Sequence, residues 1–169
     1  MSANSTTNRA LIVTEPKIIQ PLDPVDRALV SALVSDGRIP NSTLADRVGI
    51  AASTALVRVR HLVQRGVIRG FSADIDPVKV GRPVQAIVAL RLRTHDAKHV
   101  MGFARRVAQL PEVIQSFHVS GTDDFLVHVA VEDPERLRSF VLASLTSDAS
   151  VAGAQTHLVF EHQRGNFMK

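Results

Sequence analysis

The 169-residue sequence has no cysteine, tryptophan or tyrosine, and aromatic residues make up only 4% of it. Without cysteine it has no disulfide scaffold, thiolate metal site or thiol redox centre, which fits a reducing cytoplasm. Hydrophobic residues make up 45% of the chain, enough for a packed core filled mainly by aliphatic side chains. No apolar run approaches the roughly 20 residues of a membrane span, and residues 1–9 lack the pattern of an export signal. We therefore expect a cytoplasmic protein without a membrane segment.

Acidic residues are missing from one long stretch, between Asp46 and Asp74. The same stretch contains Arg47, Arg58, Arg60, His61, Arg65 and Arg69. The net charge is +4, and residues 1–81 hold ten basic against seven acidic residues, while residues 82–169 hold ten against nine. The basic surplus therefore lies in the first half, and it indicates a polyanionic partner.

Apolar residues at helical spacing predict three short helices in the first half. Asp23 is a good N-cap and Pro24 suits the first turn of a helix, where its missing N–H costs nothing. This helix is expected to end at Gly37. Asn41 is predicted to cap a second helix, which ends at the turn around Gly49.

The third predicted helix runs from about residue 52 to residue 65, and Gly66 stands where a left-handed C-terminal cap belongs. Its inner face is expected to consist of Ala55, Leu56, Val59, Leu62 and Val63. A tight turn followed by a helix with a basic outer face suits a DNA major groove, because phosphates attract cations and the groove admits a helix. Residues 67–71 are predicted to form a short strand, a candidate wing or hinge.

The pattern changes after Pro77 and residues 81–83, which interrupt regular structure. Strands are predicted at residues 84–93, 113–119, 125–132 and 154–162, and helices at 96–110 and 133–146. The order β-α-β-β-α-β is typical of a ferredoxin-like domain. The sequence therefore predicts an α+β protein in which a linker joins an N-terminal winged helix-turn-helix domain to a ferredoxin-like βαββαβ domain.

Two of the predicted strands are apolar on both faces. In residues 84–90, Ile87 and Ala89 alternate with other apolar residues, and residues 125–131 behave in the same way. Two helices can cover only one face of such a sheet, so the second face indicates a partner, most simply another copy of the same sheet. We therefore expect at least a homodimer.

Six short motifs follow one another along the chain. Five are Leu22-Asp23-x-x-Asp26, Asp36-Gly37-Arg38, Leu44-Ala45-x-x-Val48-Gly49, Arg58-Val59-x-x-Leu62 and Gly66-Val67-Ile68. In the sixth, at residues 119–125, Gly121 and Asp124 flank the turn between the two middle strands. Together, over about residues 22–162, they resemble the leucine-responsive/asparagine-synthesis (Lrp/AsnC) family of bacterial regulators.

The resemblance implies an operator-binding helix-turn-helix domain and a C-terminal domain that dimerises, with dimers assembling into tetramers or octamers. It also implies that an amino acid binds between dimers as effector, with no cofactor. Composition and the breaks at proline and glycine predict a flexible tail at residues 1–21 and a linker at 74–83. Residues 22–73 are then the expected DNA-binding domain, and 84–169 the expected domain for effector binding and oligomerisation. The family often begins its recognition helix with serine, whereas Ala51 and Ala52 stand here, so Ser53 is the expected cap.

The candidate DNA contacts lie on the outer face of the third helix. Five residues are expected nearer the groove: Ser53, Thr54, Val57, Arg58 and His61. There an arginine can read guanine, and a serine or threonine can contact either bases or phosphates. Three residues are placed for phosphates: Arg60, Gln64 and Arg65. In the family, an arginine at the position of Arg58 has an alternative role, a salt bridge within the domain. For the helix as a whole, the alternative is a solvated basic face.

The candidate effector site is the loop of Gly121, Thr122, Asp123 and Asp124, to which the family pattern adds Thr156. A carboxylate of Asp123 or Asp124 can accept hydrogen bonds from a ligand ammonium group, and a glycine turn exposes N–H groups to a ligand carboxylate. The alternative is an ordinary β-turn, since glycine and aspartate are common turn residues. Thr122 and Asp123 differ from the commoner family residues, so the amino acid that is sensed stays open.

Metal binding and catalysis have little support in the sequence. The seven histidines form no local cluster of metal-ligand spacing, and phosphate loops, nucleophile elbows and catalytic dyads are missing. We therefore expect a sequence-specific transcriptional regulator that responds to an amino acid and controls amino-acid metabolism genes, and not an enzyme. Two alternatives remain open: a ligand-independent architectural DNA-binding protein of the same fold, and an amino-acid-binding module whose helical domain contacts protein.

Overall fold

A computed structural model describes residues 21–163, 165, 167 and 168. Residues 1–20 of the predicted tail lie outside the described residues. The chain divides into two compact units, one built around the segment up to residue 74 and the other around residues 75–162. In the described part of the chain, the helices are too short or too polar to cross a membrane.

The first unit contains three helices, α1 (Pro24–Ser35), α2 (Asn41–Val48) and α3 (Ala52–Gln64). The Asp23 carboxylate caps α1 by accepting a hydrogen bond of 2.7 Å from the backbone N–H of Asp26, as the sequence predicted. Gly66 follows α3 with a φ of +73°, the left-handed conformation expected at that position. The core of the unit is aliphatic and is formed by Leu29, Val30, Ala32, Leu44, Ala45, Ala55 and Leu62.

Two predictions for this part of the chain are wrong. Residues 67–71 form no strand, because none of the described strands pairs with them, so the helix-turn-helix lacks the predicted wing. Asn41 is the first residue of α2, whose N-cap is Pro40. Residues 74–83, the predicted linker, begin where the chain divides into its two units and contain one turn of 3-10 helix, Val78–Val80, which ends at Gly81 with a φ of +79°.

The second unit has the predicted β-α-β-β-α-β order. Its strands are β1 (Val84–Leu92), β2 (Val113–His118), β3 (Phe125–Val131) and β4 (Val151–Leu158), and its helices are α4 (Ala97–Val107) and α5 (Pro134–Phe140), which continues as a π-helix, Val141–Thr146. The strands form one antiparallel sheet in the order β2-β3-β1-β4. β4 begins three residues before the predicted start, because Val151 pairs with Leu92 beyond a shift in register.

The two faces of this sheet differ. One face packs with α4 and α5 into a buried cluster that includes alternate residues of β1 and β3 and the side chains of Phe103, Phe125 and Phe140. On the other face, Ala89 of β1 pairs with Leu126 of β3, which in turn pairs with Phe117 of β2. Ala89 is buried, Leu126 is half-buried and Phe117 is 48% exposed. This second face therefore carries an apolar row, as the alternation predicted, and the adjacent row contains His128, which pairs with Ile87 and Gln115.

Candidate nucleic-acid interface and effector loop

The turn between α2 and α3 is fixed by one glycine and one amide side chain. Gly49 adopts a φ of +74°, and the N–H of Ile50 donates to the carbonyl of Ala45 at 3.0 Å. The side-chain amide of Asn41 donates to the carbonyl of Ala52 at 2.8 Å. Asn41 thus ties the start of α2 to the start of α3, so it sets the angle at which α3 leaves the turn.

Charged side chains join the beginning of α1 to the middle of α3. One terminal nitrogen of Arg58 lies 2.7 Å from a carboxylate oxygen of Asp23 and 2.8 Å from one of Asp26. Arg65, two turns further along α3, lies 3.7 Å from the other oxygen of Asp26. Asp26 is only 6% exposed, and a buried carboxylate is tolerated when cations and N–H groups surround it. These four residues, the α1–α3 ion network, fix α3 against α1.

The network also changes the acid–base properties of its members. The hydrogen bond from the Asp26 N–H, followed by that from Arg58, lowers the pKa of the Asp23 carboxyl group. The hydrogen bonds to Asp23 and Asp26 raise the pKa of Arg58. The guanidinium of Arg58 is therefore engaged within the domain, which corresponds to the alternative role in a salt bridge and weakens its assignment to base reading.

The face of α3 opposite the core presents polar side chains and one aliphatic side chain to solvent. Ala55 and Leu62 are fully buried. Ser53, Val57 and Gln64 lie about 160–200° around the helix from Ala55, and all three are exposed. A shallow depression of about 560 Å³ on this face is lined by Ser53, Thr54, Val57, Arg58 and His61. The structure therefore brings together the five residues that were predicted to lie nearer the groove.

Several details of α3 differ from the sequence-based expectations. The N-cap is Ala51, which has no capping side chain, so Ser53 is not the cap but an exposed residue of the first turn. Leu56 and Val63 were expected in the core and are each 41% exposed, because the contact with α1 and α2 is narrower than the apolar stripe of the helix. Among the predicted phosphate contacts, Arg60 and Gln64 are exposed, whereas Arg65 pairs with Asp26.

The predicted effector loop connects β2 to β3. Gly121 has a φ of +132°, and the space beside its Cα is open. The hydroxyl group of Thr122 and the carboxylate of Asp123 are 3.4 Å apart. Thr122 is exposed and Asp123 is half-buried, so both side chains remain accessible to a ligand.

Asp124 has a structural role in the same loop. One oxygen of its carboxylate accepts a hydrogen bond of 2.7 Å from the N–H of Leu92 at the end of β1. The other oxygen lies 3.0 Å from Nε2 of His95. The N–H of Asp124 donates to the carbonyl of Leu90 at 2.8 Å. Asp124 thus attaches the loop to β1 through both of its carboxylate oxygens and its N–H group.

Thr156 is not brought to this loop within one chain. It lies on β4 opposite Val88, in the middle of the strand and on the side of the sheet that carries the helices. There it lines a separate depression of about 430 Å³, together with Pro134, Leu137, Arg138, Val141 and Leu142. The sequence motif could not show this separation, because it depends on the register of β4.

Some residues that shape the site were not assigned a role from the sequence. Asp23 and Asp26 stood in the Leu22-Asp23-x-x-Asp26 motif, but their contact with α3 links residues more than thirty positions apart. His95, the partner of Asp124, had no recognisable signal. In residues 21–163, no group of three or more histidine or acidic side chains is arranged to hold a metal ion.

Comparisons with known proteins agree with this arrangement. Residues 22–63 match the AsnC-type helix-turn-helix domain, and residues 85–164 match the Lrp/AsnC ligand binding domain. The chain is 47% identical over 167 residues to the HTH-type transcriptional regulator AldR of Mycobacterium tuberculosis, covering 98% of this chain and 93% of that protein. It is 36% identical to the leucine-responsive regulatory protein of Rhizobium meliloti, covering 81% of this chain and 88% of that protein.

A solved structure is similar over most of the chain. It is a transcriptional regulator of Neisseria meningitidis in complex with L-Met, with a TM-score of 0.76 and 29% sequence identity. The similarity covers 86% of this chain and 94% of that protein. The match extends across both units of the chain.

Proposed function

Because the chain belongs to the Lrp/AsnC family of transcriptional regulators, we propose that it binds operator DNA through the outer face of α3 and responds to an amino acid. In this proposal, residues 22–73 bind DNA, residues 74–83 are the linker, and residues 84–169 bind the effector and oligomerise. The protein acts in the cytoplasm and controls genes of amino-acid metabolism.

The observation that carries the DNA-binding part is the division of α3 into an anchored side and an exposed side. Arg58 and Arg65 are held by Asp23 and Asp26, so we assign them to positioning the helix. The exposed residues remain for DNA: Ser53, Thr54, Val57 and His61 for bases, and Arg60 and Gln64 for the backbone. A rigid helix with an exposed polar face is what reading a major groove requires.

The salt dependence of operator binding tests this division. Each phosphate contact that is lost lowers the slope of log K against log salt by about one unit. We expect Arg60→Ala to lower the slope in this way on operator and random DNA alike. Arg138→Ala, which removes an exposed arginine of the second unit, is the matched control and should leave the slope unchanged. An unchanged slope for Arg60→Ala as well would remove Arg60 from the interface.

The effector part rests on the loop at residues 121–124 and on the relatives. The Neisseria regulator was solved with L-Met, and the Rhizobium relative is named leucine-responsive. In this chain, we propose that Asp123 accepts the ligand ammonium group and that N–H groups of the loop bind its carboxylate. Asp124 supports the loop, since both of its carboxylate oxygens already have partners.

Calorimetry with a panel of L-amino acids, including L-leucine and L-methionine, tests the site. Asp123→Asn keeps the size of the side chain and removes its charge, so we expect a weaker affinity for the amino acid that binds the wild type. Thr156→Val tests the separate depression on β4. If only Thr156→Val weakens binding, the effector site lies there and not at the loop. If no amino acid binds the wild type, the ligand-independent architectural alternative is favoured.

For assembly, we propose a homodimer through the second face of the sheet, with dimers joining into a tetramer or octamer. The support is the apolar row of Ala89, Leu126 and Phe117, whose aromatic member is 48% exposed. Phe117→Asp should lower the mass of the full-length protein in light scattering. Leu142→Asp, at a residue that is 54% exposed on the helical side, is the control. Equal masses for both variants and the wild type would contradict this interface.

A further inference from the structure

The centre of the outer face of α3 is aliphatic. Val57 is 63% exposed and lies about 200° around the helix from the buried Ala55. Ser53 is one turn before it and His61 one turn after it. The buried cluster of the first unit, with its half-buried neighbours, does not include Val57. Its two methyl groups therefore project into solvent from the middle of the surface that we assign to DNA.

The side chains around Val57 do not cover its methyl groups. The same depression is lined by the hydroxyl-bearing Ser53 and Thr54, by His61 and by Arg58. The guanidinium of Arg58 is bound to Asp23 and Asp26, which holds its charge towards α1. A base pair that meets the middle of this face therefore meets an aliphatic surface with hydroxyl and imidazole groups around it.

Thymine is the base that suits such a surface. In the major groove, guanine and cytosine present hydrogen-bonding groups, whereas thymine adds an apolar C5-methyl group. Contact between that methyl group and a valine removes apolar surface from water. A polar base edge at the same place would lose its water without gaining a hydrogen bond.

We propose that Val57 is a specificity-determining residue that reads the C5-methyl group of a thymine in each half of the operator. The inference rests on the proposed function, because it requires α3 to lie in the major groove. It deepens that function by naming the base chemistry at the centre of the contact. The burial of one methyl group corresponds to about a fourfold change in affinity.

The test uses thymine and deoxyuridine, which differ only in this methyl group. An operator is first selected from random duplexes with the full-length wild-type protein. Each thymine is then replaced in turn by deoxyuridine, and affinity is measured for the wild type and for Val57→Ala. Val63→Ala is the matched control, since it makes the same change at an exposed residue on the flank of the same helix.

We expect one thymine in each half-site at which loss of the methyl group weakens wild-type and Val63→Ala binding by about fourfold. Val57→Ala should be insensitive to the methyl group at that position and unchanged in its response at the others. Equal sensitivity of Val57→Ala and the wild type at every thymine would overturn the inference while leaving the regulator function intact. Failure of the wild type to select any sequence would overturn both.

Discussion

The helices of the first unit pack around a small aliphatic core, and the α1–α3 ion network adds charged contacts beside it. In the second unit, α4 and α5 pack on the sheet through a larger cluster that contains Phe103, Phe125 and Phe140. The difference separates two ways of positioning a functional surface. Helix α3, the proposed DNA-reading helix, is oriented by charged contacts at its side, which leaves its outer face exposed. The proposed effector loop is oriented by the sheet and by the carboxylate of Asp124.

From this comparison we expect that, of the changes considered, loss of an aromatic core residue lowers the free energy of unfolding most. The loss is expected in the second unit, which contains these residues. Phe140 is 1% exposed, and removal of a buried phenylalanine side chain costs about 3–5 kcal/mol. Phe140→Ala should therefore lose much of the stability of a unit of this size in urea denaturation followed by circular dichroism. Phe160→Ala, at a residue that is 97% exposed, is the control, and equal unfolding midpoints for both would contradict the prediction.

In the first unit, the ion network should be the sensitive point. Asp26→Asn removes the charge that pairs with Arg58 and Arg65, and the loss of charged hydrogen bonds costs about 1–3 kcal/mol. We expect a lower melting temperature of this unit and weaker operator binding, because α3 loses its lateral support. Asp46→Asn makes the same change of net charge at an exposed residue of α2. If both variants bound operator equally well, the network would have no role in positioning the helix.

A smaller effect is expected at the turn. Asn41→Ala removes the hydrogen bond to the carbonyl of Ala52, which is worth about 0.5–1.5 kcal/mol. The orientation of α3 should loosen, so operator affinity should fall more than thermal stability does. Ser42→Ala changes the next, exposed residue of α2 and should alter neither quantity. Unchanged affinity for Asn41→Ala would show that the glycine turn alone sets the angle.

The smallest predicted effect is the pH dependence of the second unit. His128 is 4% exposed on the second face of the sheet, with Nε2 at 3.0 Å from the side-chain oxygen of Gln85. Burial, and then the charge of His162, lower the pKa of His128. The neutral imidazole is therefore favoured in the folded state, and stability is present above the unfolded-state pKa of about 6.5 and is lost as the pH falls below it.

Thermal melts between pH 7.5 and pH 5 check this direction. His128→Gln should flatten the decline, because the titrating group is gone. His157→Gln, an exposed histidine on the same face of the sheet, should keep the decline of the wild type. The same decline in His128→Gln would assign the effect to other groups.

Local signals in the sequence sufficed for much of the fold. Asp23 with Pro24, and Gly49 and Gly66 after α2 and α3, mark helix ends through the chemistry of single residues, and the structure confirms them. The alternation of apolar side chains in β1 and β3 correctly predicted which residues share a face of the sheet. Both signals work because capping and side-chain alternation depend on residues close in the chain.

The errors arose where an interaction partner lies far away in sequence. Residues 67–71 have the apolar character of a strand but no pairing partner among the described residues. Leu56 and Val63 fit the helical period, but α1 and α2 cover only part of the apolar stripe of α3, and both residues stay 41% exposed. Arg58 and Thr156 received functional assignments from motifs, whereas their surroundings depend on α1 and on the register of β4.

The bond between Asp124 and the N–H of Leu92 makes one backbone proton a reporter of how an effector binds. A ligand whose ammonium group takes that carboxylate oxygen deprives the Leu92 N–H of its acceptor, and the exchange of this proton with deuterium accelerates. A ligand held by Asp123 leaves the bond intact, and the exchange stays slow. The hydrogen–deuterium exchange rate of the Leu92 amide thus distinguishes a ligand that displaces the Asp124 hydrogen bond from a ligand that binds beside it at Asp123.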